Sequence, residues 1–130
     1  MNVVDSSGWL EYFTGGPNAE KFLPPLQDTE SLIIPVISIY EVFKVVFRES
    51  GENDALQAAA AMRNGAVVEL SAQLAIASAK LSLDLGLPMA DSIILATARF
   101  HDALIWTQDA DFKDLPNVKY FAKMVEKRKK

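Results

Sequence analysis

Cysteine is absent from the 130 residues, and histidine occurs once, at His101. The first absence removes disulfides, thiol nucleophiles and thiolate metal sites; the second removes an imidazole-rich site. Any metal this chain holds must therefore be bound by oxygen. Glycine and proline number only six each, too few for a fibrous or low-complexity chain. Long apolar runs are missing as well: the stretch around Ile93 to Ala96 falls well short of the roughly 18 residues that a membrane span needs. At the N-terminus no basic segment precedes an apolar one, and Asp5 interrupts what apolar character there is, so no secretory signal and a cytoplasmic setting are expected.

Half of the residues are apolar, enough for one domain with a sizeable core. The net charge of −4 hides an asymmetry. Six lysines and arginines against Glu126 leave residues 119–130 at +5, so the rest of the chain carries −9. An acidic body and a basic end (Lys127, Arg128, Lys129, Lys130) pull in opposite directions on nucleic acid, so whole-chain charge does not identify the partner.

Patterning predicts strands over Asn2–Asp5, Ser31–Ile37, Ala66–Leu70, Ala103–Thr107 and Val118–Phe121. Helices are predicted over Ser6–Phe13, from Pro17 to about Gln27, and over Ser38–Ser50, Glu52–Arg63, Ala72–Leu85 and Ala90–Phe100, with Gly51, Gly65 and Gly86 at helix ends. The Ser38–Ser50 helix, with Ile39, Val42, Phe43, Val46 and Phe47 at three- and four-residue steps, reads as largely buried. Strands alternating with helices, through connections too short for a second domain, indicate an α/β fold with a mainly parallel sheet.

Five acids fall just after a predicted strand or in a helix's first turn: Asp5, Glu41, Asp91, Asp109 and Asp111. Each has a local explanation. Asp5 caps the helix that follows; Ser38 and Glu41 fit a capping box; Asp91 suits a helix dipole; Asp109 or Asp111 suits an Asx turn. Capping does not, however, require the acids to gather on one edge of a parallel sheet, which is where open α/β folds bind ligands. Like charges gathered there raise one another's pKa unless a cation neutralises them. All-oxygen ligation points to Mg²⁺ or Mn²⁺, and such ions activate water for phosphodiester hydrolysis. A covalent aspartyl-phosphate is disfavoured, because Asp5-Ser6-Ser7 lacks a second Asp two residues on.

Four segments together resemble the PIN-domain family, VapC toxin type: Val3-Val4-Asp5-Ser6-Ser7, Ile39-Tyr40-Glu41-Val42, Met89-Ala90-Asp91-Ser92 continuing to Ala98, and Thr107-Gln108-Asp109-Ala110-Asp111-Phe112. The resemblance implies a three-layer α/β/α domain over residues 1–122, with four to five strands and a basic tail at 123–130. It also implies an Mg²⁺-dependent endoribonuclease, the toxin of a type II toxin-antitoxin pair. Carried over by position, Asp5, Glu41, Asp91 and Asp109 are the catalytic and metal-site carboxylates, with Asp111 a second candidate in the same turn and Ser6 and Thr107 supporting through their hydroxyls. The resemblance further suggests a homodimer and an antitoxin that covers the acidic pocket. Two alternatives stay open here: a catalytically silent protein-binding PIN-like module, and a metal-dependent DNA nuclease.

Of the remaining features, His101 reads as structural, Trp106 as core, and Trp9 as lining a partner groove. The basic tail is auxiliary. The apolar faces around Tyr12-Phe13 and Val42 to Phe47 are candidate seats for an antitoxin helix, with core burial the favoured role for the second.

Overall fold

The computed structural model describes residues 1–125. Residues 126–130, with most of the basic tail, lie outside that range. Five short strands, β1 (Asn2–Val4), β2 (Leu32–Pro35), β3 (Ala66–Val68), β4 (Leu104–Thr107) and β5 (Val118–Tyr120), form one parallel sheet in the order β3-β2-β1-β4-β5. Parallel neighbours require crossovers, which are supplied by α1 (Ser6–Thr14), α2 (Leu23–Gln27), α3 (Val36–Ser50), α4 (Glu52–Met62), α5 (Ala72–Leu85) and α6 (Met89–Phe100).

Strand alternation produces three layers. Val3, Ile33 and Ile105 point to one face, where they meet Leu87, Ile94, Leu95 and Ala98. Their neighbours Val4, Ile34 and Trp106 point to the other, where they meet Trp9, Phe22, Val42, Ala58 and Met62. Seven consecutive residues of α6, Ser92 to Ala98, are buried, and Ile94 and Leu95 each contribute about 1.5–3 kcal/mol by burial. The helix that carries Asp91 is thus fixed by the core.

Four expectations need correction. Pro17 to Gln27 is not one helix: a 3-10 turn, Ala19–Phe22, precedes α2. Pro24 and Pro25 lack the N–H groups a helix interior needs and are accommodated only in a helix's first turn, so α2 must start beside them. The second strand ends at Pro35, and α3 begins at Val36, two residues early. Ser38 is therefore inside α3, fully buried with its hydroxyl unpartnered among the described residues, and the capping box with Glu41 does not form. Nor is α3 largely buried. Only Ser38 and Val42 are enclosed, because α3 packs against α4 on one side and leaves Tyr40 and Phe47 exposed. Trp9, expected to line a partner groove, is core, 3% exposed and stacked on Phe13 at 5.7 Å. Trp106 is buried as expected, and its indole N–H donates to Asn2 Oδ1 at 2.9 Å. Among the described residues no single helix is long and apolar enough to cross a membrane.

Candidate active site

The carboxyl ends of the central strands β1 and β4 open on one edge, and the acids are delivered there by backbone geometry. Asp5 follows β1 directly. Its N–H donates to Trp106 O at 3.1 Å, which continues the sheet, and its extended backbone makes it the N-cap of α1. Asp109 caps the 3-10 turn Ala110–Phe112 after β4, accepting from Asp111 N at 2.9 Å. Asp91 lies in the first turn of α6. Capping and clustering are therefore not alternatives here, since Asp5 and Asp109 do both.

Carboxylate oxygens of Asp91, Asp109 and Asp111 lie within 4.8 Å of one another. Both acids of the β4 turn are in this group. Asp5 sits behind them, buried, with Oδ1 accepting from Ser7 Oγ at 2.7 Å and Gly8 N at 3.1 Å. Thr107 also hydrogen-bonds Asp5, while its Oγ1 accepts from Asp109 N at 2.9 Å, linking the two acids. Glu41 is outside the tight trio, on α3, where its Oε1 accepts from Ser6 Oγ at 2.6 Å. Ser6 and Thr107 thus each hydrogen-bond an acid or its backbone. The sequence reading missed Ser7, the hydroxyl that holds Asp5; its position two residues past a strand-end Asp was the available signal.

Burial pushes the Asp5 carboxyl up to about 6, opposed by the Ser7, Thr107 and Gly8 hydrogen bonds and reinforced by the charge of Asp109. Asp91 goes further, to about 8: burial contributes most, followed by the charge of Asp109, a hydrogen bond and charge from Asp111, and the charge of Asp5. Burial and the neighbouring carboxyls thus favour the protonated form of Asp91 unless a cation takes the proton's place, and this donor set of closely spaced oxygens suits a hard divalent ion.

Residues 3–118 match the PIN domain family. The chain belongs to it. Sequence comparison with curated proteins finds no match. Among solved structures, the PIN fold of this chain is similar to a toxin-antitoxin complex from Klebsiella pneumoniae, with TM-score 0.79, 23% identity, and coverage of 95% of this chain and 100% of that one. It is similar also to VapC20 of Mycobacterium tuberculosis, described as a sarcin-ricin loop cleaving toxin, with TM-score 0.76, 16% identity, and coverage of 89% and 95%. A third is DNA-bound VapBC from Salmonella typhimurium, with TM-score 0.71, 14% identity, and coverage of 94% and 98%.

Proposed function

We propose that this PIN protein is an Mg²⁺-dependent endoribonuclease, the toxin of a toxin-antitoxin pair. The observation that carries the reading is the cluster Asp91, Asp109 and Asp111 with Asp5 behind it, a set of carboxyls that repel one another until a cation joins them. Asp5, Asp91, Asp109 and Asp111 would hold the ion, and Glu41 lies at the margin, steadied by Ser6. When bound, Mg²⁺ supplies a lowered water pKa and charge on the phosphoryl oxygen. The residues do the rest. Ser7, Thr107 and the Gly8 N–H fix Asp5 in one orientation, and Thr107 sets the Asp109 backbone, so the donor oxygens are held before any ligand arrives. Glu41, half-buried on α3 with Oε1 held by Ser6, is the carboxylate outside the trio that could accept a proton from a water.

The toxin reading is supported by the similarity in fold to proteins solved as toxin-antitoxin complexes. A groove of about 390 Å³ between α1, α3 and α4, lined by Leu10, Phe13, Val45, Val46 and Ala58 with Glu49 and Asp54 at its margin, would seat an apolar antitoxin helix with basic flanks. A homodimer is supported by the exposed side chains of Ile76 and Leu83 on α5 and Met89 on α6. The deciding experiment is digestion of RNA and DNA side by side, with and without Mg²⁺, using the parent and Asp91→Asn. Metal-dependent cleavage of RNA by the parent alone is expected. Equal cleavage by Asp91→Asn, or preference for DNA, sinks the reading. Expression with and without the neighbouring open reading frame tests the toxin role: growth arrest should occur only without it.

A further inference from the structure

Asn18 is fully buried, yet no sequence motif includes it. It precedes the 3-10 turn Ala19–Phe22, and its hydrogen bonds reach three separate parts of the fold. Its backbone N–H donates to Glu11 Oε2 at 2.7 Å; its Nδ2 donates to Gln108 Oε1 and to Ala122 O, both at 3.0 Å. Gln108, itself 7% exposed, donates its backbone N–H to Ser7 Oγ at 3.3 Å, and Ser7 donates to Asp5. Ser7 and Glu11 are four residues apart on α1, hence on one face of that helix. The bonds therefore close a ring, Ser7 to Gln108 to Asn18 to Glu11 and back through one turn of α1. The ring joins the start of α1, which carries Asp5, to the turn after β4, which carries Asp109. Asn18 Oδ1 has no partner among the described residues, so the side chain is held at this buried position through its donors alone. Ala122 belongs to a segment that is separately anchored: Phe121 N donates to Thr107 O at 2.9 Å, and the Phe121 ring meets Phe22 edge-on at 5.4 Å.

We propose that Asn18 is a positioning residue for the acidic site, clamping the α1 start to the β4 turn through Gln108 and Ser7 so that Asp5 and Asp109 keep their spacing. This rests on the metal-site reading above. Buried hydrogen bonds behind metal ligands are worth about 10–100-fold in affinity.

The test uses the full chain with Asn18→Ala. In metal-free protein, amide hydrogen exchange at Gln108, whose N–H donates to Ser7, and at Gly8, whose N–H donates to the Asp5 that the clamp positions, should quicken at least tenfold, while exchange in the α6 core stays parental. Calorimetric Mg²⁺ affinity should weaken by about 10–100-fold, with RNA KM at saturating Mg²⁺ unchanged. Parental exchange at both amides overturns the proposal, and so does quickened exchange with parental Mg²⁺ affinity. Should Asn18→Ala fail to fold, Glu11→Ala decides by the same readouts, with Glu11→Gln, which keeps an acceptor oxygen, expected to restore them. A parent that takes up no Mg²⁺ overturns the metal reading instead, and exchange at Gly8 and Gln108 then decides the clamp by itself.

Discussion

On the β1–α1 side of the acidic edge, Asp5 is buried among the Ser7 and Thr107 hydroxyls and the Gly8 N–H; on the α6 side, Asp91 faces the carboxyls of Asp109 and Asp111. Both are aspartates at the positive end of a helix, and burial raises both. Asp5 reaches only about 6 because three hydrogen bonds stabilise its anion, whereas Asp91 reaches about 8 because its neighbours are negative. The protein thus answers one charge with its own hydroxyls and N–H, and sets the other among like charges. The first half is preorganised; on the metal-site reading proposed above, the second would be completed by a cation.

The sharpest way to break this comparison is Asp91→Asn. Losing one carboxylate of the unsatisfied half should lower Mg²⁺-dependent RNA cleavage by more than about 100-fold. The same change removes repulsion, so the melting temperature of metal-free Asp91→Asn at pH 8 should exceed that of the parent. In the satisfied half, Ser7→Ala should weaken Mg²⁺ affinity by about 10–100-fold, read by calorimetry, with Ser7→Thr close to the parent.

That half also depends on close approach. A Cβ on Gly8 would lie 2.6 Å from Val4 Cγ1 and 2.7 Å from the Phe22 ring. Gly8→Ala should cost about 1–3 kcal/mol in urea unfolding by overpacking. A further effect follows from pH. Asp5 and Asp91 titrate higher in the folded protein than in the unfolded chain, so the fold holds protons that the unfolded chain releases. Metal-free stability should fall as pH rises from about 4, through about 6 for Asp5 and about 8 for Asp91. Thermal melts at pH 5 and pH 8 check this, and Mg²⁺ should raise the melting temperature more at pH 8. Smallest of all, exposed His101→Ala should leave activity parental and stability within about 0.5 kcal/mol.

Much of this was legible in the sequence because its signals are local. The α5 span, Ala72–Leu85, follows from Ser71, whose hydroxyl accepts from Leu74 N at 3.1 Å, and from Gly86, left-handed at φ 67. The five strands and their parallel class follow from apolar runs spaced by helices. The acids at strand ends could be picked out for the same reason. The α3 start was misread because Ser38 and Glu41 imitate a capping box, while Pro35 ends the strand and lets the helix begin at Val36.

What the sequence determined by itself was chemistry and order: oxygen ligands only, an α/β chain, and acids placed after strands. The tertiary structure decided which acids meet. Asp109 and Asp111 both joined Asp91, Glu41 turned to Ser6, and Ser7 and Asn18 became the supports behind Asp5. The longest-range of these contacts join residues 35 to 104 positions apart, such as Ser6 with Glu41 and Asn18 with Ala122, and side-chain bonds of that range leave no periodicity or local motif in a sequence.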